Sequence, residues 1–214
     1  SQGPLRLSPV GTTVAQVGID ATTTAKVDAG QTSLKTTDGS SIVVQTMAGN
    51  LQIDADASGD SVVGSGTGHI LLQAGGATSD LILGGKVSAV TGSISLLAGH
   101  DLSLGSDLTT GGTGTLMATA TTGALTMTAA GKVTSNTGGI RLEAGTNLTV
   151  TGINAGSGSV SLIAGSGSVI DAGDSSVDVA GDGVRILAGN GIGTLGASPN
   201  ALEISASTLS ARAG

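Results

Sequence analysis

The chain has 214 residues, a formal net charge of −7 and only eight lysines plus arginines, a balance that argues against nucleic acid, whose phosphates must be neutralised by cations. It contains no Phe, Tyr or Trp, so it lacks the flat apolar faces that usually hold sugars and single-stranded nucleic acid. It has no cysteine, which removes disulfides, thiolate catalysis and cysteine-based zinc sites, and its 38% apolar and 11% charged residues set it apart from disordered Gly/Ser-rich tracts.

Residues 1–19 fit no regular pattern apart from Val14, Val17 and Ile19, and read as an irregular entry segment or an incomplete first turn. From residue 20 to 214 the chain reads as one domain built from a repeat. Degenerate copies end in Ala29-Gly30 and Ala48-Gly49, and clear ones run Gly68 to Gly75, Gly92 to Gly99, Gly138 to Gly145, Gly158 to Gly165 and Gly183 to Gly189, with a looser copy at Thr115 to Ala120. The closing alanines at 29, 48, 74, 98, 120, 144, 164 and 188 lie 19 to 26 residues apart, which is the period of a stacked solenoid whose units are too short for helical pairs.

Within each copy the apolar residues alternate, as Val160, Leu162 and Ala164 do against Ser159, Ser161 and Ile163, which is the period of a strand with one buried face. A second alternating segment follows each first one, among them Leu51/Ile53, Leu81/Leu83, Leu102/Leu104, Leu125/Met127, Leu148/Val150, Val169 with Ile170, and Ile192 with Leu195. A third and weaker one comes next: Val62, Val87/Ala89, Leu108, Val133, Ile153/Ala155, Val177/Val179 and Leu202/Ile204. The expectation is an all-β, parallel β-helix of about eight coils, three short strands each, roughly 40 Å long at ~4.8 Å per coil. The 38 glycines mark the corners, where the backbone turns tightly or approaches too closely for a Cβ, and Asp38-Gly39, Asp182-Gly183 and Asn190-Gly191 sit where corners fall.

The sites offered by this pattern are few. His69 and His100 open strands on different sides of the rod and read as solvated residues, not as a metal pair. Asp171, Asp174, Asp178 and Asp182 form the densest acidic group and are the weak calcium candidates, with a solvated loop as the default because the calcium-binding Gly-Gly-x-Gly-x-Asp pattern is missing. Asp54, Asp56 and Asp60 share a turn and Asp80 and Asp101 open second strands, without the basic ladder expected beside polysaccharide-cleaving carboxylates. Gly85-Lys86 and Gly131-Lys132 are followed by valine and so do not end a phosphate loop, and Thr126/Thr128 and Thr149/Thr151 do not repeat in every coil as an ice-binding rank would. The reading is a protein without catalytic residues, cofactor or assigned metal. The departures at 55–67, 171–182 and 189–200 are where a binding site would have to be built.

The runs Gly158 to Gly165, Gly139 to Gly152 and Gly92 to Leu104 resemble the repeats of filamentous-haemagglutinin-type exoproteins and related giant bacterial surface adhesins, over about residues 20–206. The resemblance implies a right-handed β-helix shaft, secreted and displayed at the bacterial surface or shed. The Asn-Pro-Asn-Gly signature of that family's secretion domain is missing, Ser198-Pro199-Asn200-Ala201 being a faint echo, so the segment would be shaft. A non-enzymatic structural filament segment is the first expectation, a ligand-binding adhesin module for a host or matrix component the second, and a polysaccharide-active enzyme the third. No apolar run approaches the ~18 residues of a membrane helix, so membrane insertion is not expected. Neither end has the charge density or helical periodicity of a cap, and Ala201 to Ser207 reads as one more strand. The expected partners are therefore further coils of the same chain or of identical chains, stacked end to end.

Overall fold

In a computed structural model, which describes every residue except 32–33, 57–58, 174 and 195–200, the chain forms a parallel β-solenoid of about seven turns with no helix among the described residues. Each turn lays down three short strands, and each strand pairs in parallel with its copies in the turns before and after. Face one stacks Ile42–Thr46, Ile70–Ala74, Ile94–Ala98, Leu116–Ala120, Ile140–Ala144 and Val160–Ala164. Face two stacks Leu5–Leu7, Leu51–Ile53, Leu81–Leu83, Leu102–Leu104, Leu125–Met127, Leu148–Val150 and Val169–Asp171. Face three stacks Leu34–Lys35, Asp60–Gly64, Lys86–Ala89, Leu108–Thr110, Val133–Thr134 and Ile153–Asn154.

The alternation seen in the sequence decides which side chains go inside. Ile70, Ile94, Leu116, Ile140, Val160 and Val184 form one buried column, and Leu72, Leu96, Ala118, Leu142, Leu162 and Ile186 the next. Arg141 and Arg185, one residue out of phase, face outward, half-buried and exposed respectively. A buried leucine contributes about 1.5–3 kcal/mol, so a column of aliphatic residues stabilises the stack without aromatics. The alanines that close each copy, Ala74, Ala98, Ala120, Ala144, Ala164 and Ala188, are all buried at one corner, and the first rung of that column is Thr46, also buried, whose hydroxyl donates to the Gly49 carbonyl at 2.8 Å.

Glycine is needed at the opposite end of the same strand for a reason of distance. A Cβ placed on Gly92 would stand 1.8 Å from the Gly68 carbonyl oxygen, and one on Gly138 would stand 1.8 Å from that of Gly114. At Asp38-Gly39 the reason is conformational, since Gly39 has φ +83°. Asp182-Gly183 is a departure from the expected corners. It lies within a strand, because in the last turn Val179–Ala188 runs unbroken from face three to face one and pairs with both Ile153–Asn154 and Val160–Ala164. Ile204–Ala213 then pairs along its whole length, so the expected strand near the C-terminus is present but starts later and runs longer than Ala201 to Ser207.

The turn count is nearer seven than eight because Ala29, counted as the end of a coil, lies elsewhere. Val10–Val17 and Thr23–Gln31 pair as an antiparallel hairpin, every residue of which is exposed, inserted between the first strand of face two and the first of face three. Its turn is closed by Gly18 N–H donating to the Thr22 carbonyl and by Asp20, whose Oδ1 accepts from the Thr22 amide and hydroxyl. Val169 also bridges Ile192, which opens an eighth rung of face two; Leu195, its expected companion, lies outside the described residues.

Candidate functional site

The polar residues at the corners fall into columns that tie one coil to the next. At the entry to face two, the Asn50 Oδ1 accepts from the Asp80 amide at 2.9 Å, the Asp80 Oδ1 from the Asp101 amide at 3.1 Å, and the Asp101 Oδ1 from the Ala124 amide at 2.8 Å. The column resumes with Asn147 Oδ1 accepting from the Ser168 amide at 2.9 Å and Ser168 Oγ from the Gly191 amide at 3.2 Å. At the entry to face one, Ser41, His69 and Ser93 do the same, the His69 Nδ1 accepting from the Ser93 amide at 3.0 Å. These amides sit at corners where the strand ladder does not reach them, and each side chain supplies the acceptor a backbone would otherwise lack.

Both histidines therefore belong to corners, and to different ones. His100 packs its Nδ1 3.0 Å from Asp80 Oδ1 and 3.4 Å from Asp101 Oδ2, so three ligand-type side chains converge there, half-exposed or exposed. Of the three aspartates in the turn 54–60, Asp54 meets the Arg6 guanidinium, whose hydrogen bond holds its carboxyl below the usual range. Asp56 is buried and its Oδ1 accepts from the Asp60 amide at 3.0 Å. Thr151 is the exception among the four threonines: it is buried, and its hydroxyl donates to the Gly131 carbonyl at 3.0 Å.

The acidic group near the C-terminus divides. Asp182 is exposed in the strand Val179–Ala188, and Asp174 lies outside the described residues. Asp171 and Asp178, by contrast, are buried, 5% and 0% exposed, and are brought together with Glu203, a residue the sequence pattern did not single out. Asp171 occupies the inward position of its strand, the place held by Ile53, Leu83, Leu104, Met127 and Val150 in earlier coils. Asp178 precedes the first inward residue of face three, and Glu203 stands one coil further on at the same place, since Val179 pairs with Ile204. Ligand-type oxygens of the three lie within 4.8 Å of one another. One oxygen of Asp171 accepts from the Gly173 amide at 3.0 Å and one of Asp178 from the Glu203 amide at 3.0 Å. The remaining Asp171 Oδ2, Asp178 Oδ1 and Glu203 Oε2 are buried with no hydrogen-bond partner. Burial, and then the facing Asp171 and Glu203 charges, push the Asp178 carboxyl up to about 7.

A third feature is a cleft of about 680 Å³ at the foot of the hairpin, where Arg6, Asp54, Asp28 and Gln31 meet Leu7 and Leu34. It combines an apolar floor with charged walls. Comparison with protein-family models, with curated proteins and with solved structures gives no match for the chain.

Proposed function

We propose that this chain is a non-enzymatic shaft segment of a secreted bacterial surface protein of the filamentous-haemagglutinin type, working as a stiff spacer. What carries the reading is the contrast between the inside and the outside of face one. Inward positions repeat as aliphatic residues in every coil, with buried Thr46 the one exception, whereas the outward column Val43, Leu71, Ser95, Met117, Arg141, Ser161 and Arg185 changes chemistry at every step after Leu71. A surface that reads a periodic ligand needs a periodic outer pattern, and here the period is kept only where coils join. The polar side chains with the most chemistry, including His69, Asp80 and Asp101, are engaged in holding the next coil's amides.

The test has two parts. Electron microscopy of the chain, and of a version with one coil duplicated, should give rods whose length grows by about 4.8 Å per added strand layer. Incubation with a panel of neutral and acidic polysaccharides should give no products, and turnover of any of them would overturn the non-enzymatic reading. A ligand-binding module is the second reading, favoured by the cleft beside Arg6 and Asp54 at the foot of the hairpin. Glycan or matrix-protein binding that is lost in Arg6→Ala would favour it.

A further inference from the structure

We infer that Asp171, Asp178 and Glu203 form a calcium site that fastens the final coil of the solenoid to the rest of the stack. Three carboxylates from three separate segments come together with ligand-type oxygens within 4.8 Å of one another, and each carries one buried oxygen without a hydrogen-bond partner. Among the described residues no lysine, arginine or histidine pairs with them. Buried carboxylates left without a counter-charge are costly, so something cationic is called for.

The rest of the rod sharpens the point. At the same corner, earlier coils place Lys86, Asp107 and Lys132 one above another, a column of alternating sign, as the Leu108 amide donating to the Lys132 carbonyl and the Val87 amide donating to the Asp107 carbonyl establish. Two coils on, the column becomes Asp178 and Glu203 and gains Asp171 from the neighbouring strand. The lysines that alternate with an acid earlier in this column have no counterpart where three acids meet.

The donors select the ion. All are carboxylate oxygens, which favours hard cations over zinc or copper. Three oxygens around one centre lie about 4.2 Å apart at the ~2.4 Å calcium distance and about 3.6 Å apart at the ~2.1 Å magnesium distance, so oxygens within 4.8 Å of one another need the smaller contraction to hold calcium. Burial already opposes full ionisation of Asp178. A divalent ion relieves that opposition. Because Asp171 ends a strand of face two in one coil and Glu203 belongs to the next, the bound ion would tie the end of Val169–Asp171 to the starts of Val179–Ala188 and Ile204–Ala213.

Calorimetric titration with calcium chloride, and thermal unfolding and hydrogen exchange in EDTA against millimolar calcium, test the site. Calcium in hundredfold excess over its dissociation constant should raise the melting temperature by roughly 5–10 °C. It should also slow amide exchange in Val179–Ala188 and Ile204–Ala213, with a smaller effect from magnesium. Asp178→Asn and Glu203→Gln should each abolish the calcium effect, and Asp178→Asn in EDTA at pH 8 should be at least as stable as the parent. Asp80→Asn, at the exposed cluster, should keep the full calcium response. No heat of binding up to about 10 mM calcium, or a calcium response that survives in Asp178→Asn, would overturn the assignment.

Discussion

Gly138 and Gly139 are neighbours of the same type, yet alanine should act on them in opposite directions. A methyl on Gly138 would lie 1.8 Å from the Gly114 oxygen and 2.5 Å from its carbon, both backbone atoms of the preceding coil, whereas the nearest atom to a methyl on Gly139 is the Ser159 oxygen at 3.5 Å. To reach even a tight contact the coils would have to part by roughly 1.2 Å, a quarter of the ~4.8 Å strand spacing. The Leu116 amide donates to the Gly139 carbonyl at 3.0 Å, and such an opening would take that bond beyond hydrogen-bonding range. Overpacking costs about 1–3 kcal/mol and a buried amide left unpaired a similar amount. The entropy removed from the unfolded chain returns only about 0.4–1 kcal/mol. Gly138→Ala should therefore destabilise by about 1–5 kcal/mol, and Gly139→Ala should be neutral or stabilising by up to about 1 kcal/mol. Urea unfolding followed by circular dichroism reads the difference, with hydrogen exchange to show whether loss is confined to the coils around residue 138, since repeat proteins need not unfold in one step. A Gly138→Ala protein as stable as the parent would mean that the coils do not approach each other as closely as this stacking requires.

Leu162, fully buried between Leu142 and Ile186, and Ser161, facing out, give a second opposed pair. Leu162→Ala should cost about 2.7–5 kcal/mol and Leu162→Asp more, while Ser161→Asp should change stability by less than about 0.5 kcal/mol in the same denaturant assay. Equal effects would put the alternation out of register. Asn147→Ala should cost about 1 kcal/mol, read as faster exchange of the Ser168 amide that Asn147 Oδ1 caps. The last concerns pH. With its carboxyl raised to about 7 by burial and by the facing Asp171 and Glu203, Asp178 in calcium-free protein contributes stability that is fully present below the unfolded carboxylate range near 4. That contribution is lost as pH rises to about 7, so melting temperature in EDTA should fall across that interval, and Asp178→Asn should flatten the profile. A rising profile there would contradict the burial of the ionised group.

The fold was legible because a strand period of two and a coil period of 19 to 26 residues are both written in residue type. Ile70, Ile94, Ile140 and Val160 announce the inside, and stacking with unshifted register follows from repeating them. The hairpin was less legible. Its strands alternate too: Ala15, Val17, Ala25 and Val27 share one side, and nothing in that pattern says that the partner is an antiparallel neighbour and not the next coil. The unbroken Val179–Ala188 strand was hidden for a related reason. Asp182-Gly183 has the composition of a turn, but the glycine there has no positive φ and the chain passes straight through.

The acidic site shows where reading along the chain stops working. Asp171, Asp174, Asp178 and Asp182 were grouped because they are near one another in sequence, and the fold separates Asp182 from Asp178 by sending it to the outside of a strand. Glu203 lies 25 residues beyond Asp178, a gap recorded by the hydrogen bond from its amide to Asp178 Oδ2. That gap is one coil. In a solenoid, nearness in space is measured by the coil period as much as by adjacency, so acids one period apart are the pairs to seek. The second signal was Asp171 at a position where every earlier coil has an apolar residue. A carboxylate that interrupts a core column, with another acid one coil from its neighbour, marks a place where the stack gives up apolar burial. That loss is offset only if a cation or a proton supplies the missing charge.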